Sequence, residues 1–531
     1  MPKKPSKKYR LIQSLRILSQ IFFFVLFFYL LLKTHFPGQD YIGPVEIFFQ
    51  FDPLLALTTM LASRSVFFSF IFASATIIIT FILGRVVCGW VCPLGSIHQF
   101  FSFLFKKSKL LRPQPKNKQK VIQPSLKYYI LIVVLVGAVL SLDLVGFIDP
   151  LSLLYRSLAL SFLPAFNYGF NAVISLIYYL HLSSLADSLV QFNENLAVNS
   201  IFIQSFLIGL IFSGILLLNL LYERFWCRYL CPLGALLGLF SRWNILKLRI
   251  NSKTCIQCGL CNLHCQTEAI PYPQNEWKNS ECDYCFTCAA ICPTNAISFP
   301  VKTQTEDIGV TNLSRRKLIF SSILGLLVVP FFRISSSRKR ASPQLIRPPG
   351  ALPEEQFLQK CVRCGECMKA CPTNALQPVL GEAGPEGLWT PRLVPTIGYC
   401  EYYCCLCSQV CPTGAIKELT VEEKLKVTIG TAFVDENRCI PYNLGTNCIV
   451  CEEHCPTSPK AIKLVKIEVK QPDGTIKTPA APVVEPDLCI GCGICEYKCP
   501  VVDKPAIYVT SVGESRSDKN QLLLPLLKSE Q

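Results

Sequence analysis

The chain has 531 residues, with 52 Lys and Arg against 36 Asp and Glu, a formal net charge of +16 and 29 cysteines. That length allows several domains. So many cysteines exclude a reduced cytosolic enzyme without metal, and a disulfide framework suits much smaller secreted domains.

Four segments are apolar over the ~20 residues that a bilayer-crossing helix needs: 17–33, 66–84, 128–148 and 201–222. A weaker apolar stretch, Phe170 to Leu189, contains His181 and Asp187 and reads as interfacial or re-entrant. Residues 1–16 carry six basic residues and 106–127 carry eight, with no acid in either. The stretches 34–65 and 149–199 hold one each, Arg64 and Arg156. This bias puts the N-terminus and the 106–127 loop in the cytoplasm. Because the basic runs flank apolar segments, nucleic acid is not the expected partner.

The second and fourth apolar segments each run into a cysteine pair, CGWVCPLG from Cys88 and CRYLCPLG from Cys227. Cys88–Ser102 and Cys227–Ser241 match at seven of fifteen positions, and an Asp-Pro precedes each repeat, at Asp52 and Asp149. Asp before Pro reads as a helix N-cap with Pro at the first helical position. The sharper alternative is proton handling at a quinol site. If the repeats face each other, Cys88, Cys92, Cys227 and Cys231 lie at one depth. They then serve as a redox relay, through a bound metal or cluster or through a dithiol, or else they merely pack.

Beyond the fourth segment the spacing becomes C-x2-C-x2-C-x3-C, that of ferredoxins with two [4Fe-4S] clusters. Cys255, Cys258, Cys261 and Cys265 form one motif, and Cys282, Cys285, Cys288 and Cys292 the next. In such proteins the fourth cysteine serves the other cluster. The expected sets are Cys255, Cys258, Cys261 and Cys292, and Cys282, Cys285, Cys288 and Cys265. Four further motifs follow: Cys361, Cys364, Cys367, Cys371; Cys400, Cys404, Cys407, Cys411; Cys439, Cys448, Cys451, Cys455; and Cys489, Cys492, Cys495, Cys499. Cys405 is left over, as a bystander or a substitute for Cys404. Zinc knuckles have no need of the x3-C tail that every motif keeps, so six [4Fe-4S] clusters are expected. The five histidines and the lack of C-x-x-C-H argue against haem, and His98 reads as structural.

Between the second and third motifs, Arg315 and Arg316 precede an apolar run of about fifteen residues with Gly325 and Pro330, short for a span but suited to twin-arginine export. The expected organisation is a transmembrane domain over 1–243, a two-cluster ferredoxin-like domain over 244–300 and the twin-arginine segment over 312–333. A four-cluster domain over 345–510 and a tail over 511–531 complete it. Polar or Pro-rich linkers are expected at 299–312, 334–353 and 466–487. The fold class is an α-helical membrane bundle of four spans, with a fifth anchor if the twin-arginine segment stays, plus small α+β ferredoxin-like domains.

With GRVVCGWVCPLG, ERFWCRYLCPLG and the double ferredoxin motif, residues 1–300 resemble the membrane 4Fe-4S proteins of the NosR/NapH family. Residues 312–510, with the twin arginine and RPPGALPEEQFLQKCVRCGECMKACP, resemble the NapG/MauM ferredoxin-type proteins. The resemblance implies a quinol dehydrogenase-like module in a bacterial inner (cytoplasmic) membrane. The first two clusters would be cytoplasmic and the four-cluster domain periplasmic. Electrons would pass between the quinone pool and a periplasmic reductase, such as a nitrate reductase, or a cytochrome c-type acceptor. Relatives that share C-x3-C-P and handle copper imply the alternative, an assembly factor for a respiratory metalloenzyme.

Overall fold

The computed structural model describes residues 7–34, 46–66, 70–107, 125–194, 200–301, 314–333, 342–472 and 474–521. Much of the basic 106–127 loop, most of the 299–312 linker, the start of the 334–353 linker and the tail beyond 521 lie outside the described residues. The chain forms two compact units, one of Met1–Leu32, Val45–Ser157 and Phe206–Val329, the other of Lys33–Pro44, Leu158–Ser205 and Pro330–Gln531.

Among the described residues, two helices are long and apolar enough to cross a membrane: Lys7–Lys33, and a continuous stretch Pro150–Tyr179 that includes a π turn at Leu158–Phe162. The π turn falls just before Pro164, which has no N–H for a regular helical bond. The expected span 17–33 lies within Lys7–Lys33, and the other three are not confirmed as full spans. In place of 66–84, 128–148 and 201–222 stand shorter apolar helices, Ile71–Leu83, Leu126–Val139 and Ser205–Leu220. At 1.5 Å per residue, these helices of thirteen, fourteen and sixteen residues cover about 20–24 Å of a ~30 Å hydrocarbon core. Leu126–Val139 ends early, before Ser141 (φ +62°), whereas Ile71–Leu83 stops at Gly84 (φ +79°), the end expected for it. The stretch expected to be interfacial, Phe170 to Leu189, is instead the end of Pro150–Tyr179 and the start of Ser183–Glu194, broken at His181 (φ +59°).

Both Asp-Pro sequences cap helices as their chemistry dictates. The Asp52 carboxylate accepts the N–H groups of Leu54 and Leu55 at 2.8 and 3.2 Å and starts helix Pro53–Ser63. Asp149 accepts those of Leu151 and Ser152 at 3.0 and 2.8 Å and starts Pro150–Ser157. Both carboxyls are buried, at 2% and 0% exposure, and lie within hydrogen-bonding reach of each other. The sequence repeat is thus a spatial pair.

The ferredoxin-like parts share one closure. A strand before the first motif pairs antiparallel with a strand after the second: Arg249–Ile250 with Ile297–Ser298, and Thr431–Val434 with Ile507–Thr510. A single bridge, Ala351 to Ile416, does the same for the motifs at Cys361 and Cys400. The module at 249–298 has a small core of Leu248, Ala269, Trp277, Tyr284, Ala289 and Ile297. Residues past 510 continue into the second unit. Ser511 and Glu514 are buried, and Arg516 binds Glu354 at 2.9 Å. The twin-arginine segment is a 19-residue helix, Arg315–Arg333, whose buried face is Ser321, Gly325 and Val329. A Cβ on Gly325 would lie 2.9 Å from Cβ of Val136, so only glycine permits this approach to Leu126–Val139.

The Asp52 cap makes a testable distinction. Asp52→Ala removes the cap and should cost about 1 kcal/mol. Asp52→Asn keeps an accepting oxygen and removes one of two carboxyls that crowd each other, so its thermal midpoint in detergent should match or exceed wild type. Equal destabilisation by both substitutions would contradict this account of the pair.

Candidate metal centres

The two C-x3-C-P sequences build the same local structure. The first cysteine of each lies in a short helical turn, Cys88 in Val86–Trp90 and Cys227 in the π turn Trp226–Leu230. The second immediately precedes a proline that opens a new helix, Pro93–Lys107 or Pro232–Phe240. Cys231 is the N-cap, its Sγ accepting the Gly234 N–H at 3.3 Å, and the Cys92 sulfur accepts the Gly95 N–H in the same way. The motif therefore gives each second sulfur a helix N-terminus, where negative charge is favoured. The structure brings all four cysteines together: Cys88, Cys92 and Cys227 are close enough for their charges to act on Cys231. Burial pushes the Cys92 and Cys231 thiols up from their ordinary value.

Two arginines that sequence reasoning passed over complete this floor. Arg85 and Arg224 stand three residues before Cys88 and Cys227 and hydrogen-bond them. The signal was present in GRVVC and ERFWC, the same offset in both repeats. Each arginine also crosses to the other repeat. A Cβ on Gly234 would sit 3.0 Å from Nη2 of Arg85, and one on Gly95 would sit 3.3 Å from Nη2 of Arg224. The glycine of C-P-L-G leaves room for the opposite arginine.

The loop E-C-D-Y-C, Glu281 to Cys285, is seated on this floor. Asp283 pairs with Arg224, and Glu281 takes Arg85 at 3.4 Å, Lys127, and the Tyr128 hydroxyl at 2.9 Å. Trp90 Nε1 donates to the Tyr284 carbonyl at 3.2 Å, and a Cβ on Gly89 would meet the Asp283 carbonyl at 2.8 Å. Asp283, Tyr284 and Glu281 are all buried. His98, fully buried and hydrogen-bonded to Asn219, has the structural role expected of it.

The ferredoxin-type cysteines gather across motifs. Cys265, Cys282, Cys285 and Cys288 line one cavity, and Cys361, Cys364, Cys367 and Cys411 line another. Cys371 joins Cys400, Cys404 and Cys407. Cys499 joins Cys439 and Cys448, with Cys451 beside them. Cys455 joins Cys489, Cys492 and Cys495. Cys255 and Cys258 lie beside Cys261. Cys292 accepts the Ala296 N–H at 3.3 Å, as Cys265 accepts that of Ala269. The two cavities fit cubane clusters, since each is lined by four thiol groups. Among the described residues, no three His, Cys, Asp or Glu side chains close around the space of a single ion. Cys404, not Cys405, belongs to its set, and Cys405 is buried beside Lys424. The Cys400 N–H donates to the Cys492 carbonyl at 2.8 Å, so two sets touch through their backbones.

Comparison with known proteins agrees with this chemistry. A family model described as a 4Fe-4S binding domain matches residues 65–112 and 204–251, and a second model of that description matches 357–377 and 482–502. The uncharacterized protein MJ0750 of Methanocaldococcus jannaschii is 30% identical over 258 residues, which are 48% of this chain and 82% of that one. The chain belongs to the family of MJ0750. It is also similar to the methylamine utilization ferredoxin-type protein MauM of Methylorubrum extorquens, 36% identical over 25% of this chain and 63% of MauM. Similarity to the ferredoxin-type protein NapG of Escherichia coli, again 36%, covers 20% of this chain and 47% of NapG. The chain thus spans less than two thirds of the MauM and NapG proteins that it matches. No solved structure matches. This member of the MJ0750 family is a ferredoxin-type iron-sulfur protein with 4Fe-4S domains, suited to electron transfer.

The seat of the E-C-D-Y-C loop is open to mutation. Arg224→Met leaves Asp283 buried without its partner and should cost about 3–5 kcal/mol. Adding Asp283→Leu should recover much of that loss. Denaturant titration of the purified protein checks both, and a double variant as unstable as the single would refute the pairing as the cause.

Proposed function

We propose that this protein is a membrane iron-sulfur relay of the quinol dehydrogenase type. It takes two electrons from a quinol, releases two protons and the quinone, and passes the electrons singly through [4Fe-4S] clusters toward a periplasmic reductase or cytochrome c-type acceptor. The observation that carries this reading is the seat of the E-C-D-Y-C loop, with cluster-type ligands Cys282 and Cys285, directly on the C-x3-C-P floor. A redox group so placed can exchange electrons with the bundle without a mobile carrier. The six proposed cluster sets are those gathered above, with Cys292 completing Cys255, Cys258 and Cys261.

The finer resemblance, a fusion of a NosR/NapH-type membrane part with a NapG/MauM-type part, belongs to the same proposal. So does the placement in a bacterial cytoplasmic membrane. Support for a periplasmic four-cluster domain is the twin arginine, Arg315 and Arg316, that precedes it. The packed Ser321 and Gly325 face favours the twin-arginine helix remaining as an anchor.

The rival reading, a copper-handling assembly factor, draws on the four converging soft thiols. Low-temperature EPR of the anaerobic protein in lipid, mixed with a reduced short-chain quinol, separates the two. Reduced-cluster signals without any other reductant are expected here. Clusters that respond only to dithionite, together with stoichiometric copper(I) at Cys88, Cys92, Cys227 and Cys231, would favour the assembly factor.

A further inference from the structure

We infer that the two C-x3-C-P repeats jointly hold one more [4Fe-4S] cluster, a seventh, with Cys88, Cys92, Cys227 and Cys231 as its ligands. The 4Fe-4S family model matches both repeats, yet each matched stretch contains just two cysteines, Cys88 and Cys92 in 65–112 and Cys227 and Cys231 in 204–251. A cubane takes four thiolates, so neither repeat can hold one alone. The fold resolves this by bringing the repeats face to face, Arg224 Nη2 of the second donating to the Cys88 carbonyl of the first at 3.2 Å, with all four sulfurs acting on one another.

The charges around the floor make the same case independently. Arg16, Arg85, Lys127 and Arg224 are buried there, at 4% exposure or less, and the buried acids paired with them among the described residues are Glu281 and Asp283. Arg16 belongs to this group because its charge acts on Asp283 and Cys285. Two positive charges are left over in a desolvated place, which is costly unless something negative balances them. An oxidised [4Fe-4S] core with four thiolates carries a charge of about −2, so it balances the excess. The Nε atoms of Arg85 and Arg224 are buried and have no protein partner among the described residues. Sulfur atoms of a cluster accept such hydrogen bonds and are tuned by them. Two helix N-termini, through Gly95 and Gly234, add further positive potential at Cys92 and Cys231.

A dithiol relay would use the sulfurs in two disulfides and leave the charge excess unbalanced. Inert packing would leave the excess positive charge unbalanced. The cluster reading uses the two repeats equally, as their duplication requires. It rests on the iron-sulfur reading of the chain and not on quinol as the donor.

The test is iron and acid-labile sulfide per full-length chain, purified anaerobically and reduced by dithionite, so that a failure of quinol chemistry has no bearing on it. Wild type should hold about 28 irons, and Cys92→Ser with Cys231→Ser should lose about four irons and four sulfides. The EPR signals of the other clusters should persist in that double variant. Should it not fold, Mössbauer quantitation of the ⁵⁷Fe-labelled wild type, referenced to chain concentration, decides alone. About 24 irons, with Cys88, Cys92, Cys227 and Cys231 recovered as free thiols or disulfides under denaturing anaerobic conditions, would overturn the inference.

Discussion

The contact on which the first unit depends is the burial of Asp283 and Glu281 against Arg224 and Arg85. Each arginine belongs to one repeat, hydrogen-bonds a cysteine of that repeat, and crosses to the glycine of the other. The acids belong to the ferredoxin-like module. One set of ion pairs thus fixes three things at once: the pairing of the repeats, the depth of the cysteines, and the seating of the loop. Buried ion pairs are poor net stabilisers but demand correct partners. Here that demand fixes the register between a redox module and the helices beneath it.

The same economy recurs in the ferredoxin-like modules. So short a segment buries little apolar core, and the hydrophobic cluster around Trp277 and Tyr284 is small. Strand pairs, or in one case a single bridge, close each module at its ends, and cysteines exchanged between motifs tie its halves together. Metal binding then supplies folding free energy that the core lacks. The hydrogen bond from Cys400 to Cys492 shows that neighbouring modules meet through ligand loops, where close approach serves electron transfer.

The cysteine chemistry was legible in the sequence because its information is local. Three thiolates at fixed short spacing, and a fourth after one helical turn, need no tertiary knowledge. The exchange of Cys265 was readable for that reason, whereas the partners of Cys371, Cys411, Cys455 and Cys499 depended on which motifs pair in space. The choice of Cys404 over Cys405 turned on side-chain direction, which spacing does not carry. Helix lengths are harder to read. Hydropathy does not register backbone breaks, so Leu126–Val139 ends before Ser141 inside an apolar run. Arg85 and Arg224 were visible at matching offsets, but burial was needed to separate them from ordinary flanking positive charge.

Iron-edge anomalous diffraction from crystals of the whole chain addresses the central claim most directly. The account predicts iron density among Cys265, Cys282, Cys285 and Cys288, held over Cys88, Cys92, Cys227 and Cys231 by the buried Asp283–Arg224 pair. Iron density at the Cys282 set lying away from the C-x3-C-P cysteines, with Asp283 exposed to solvent, would contradict it.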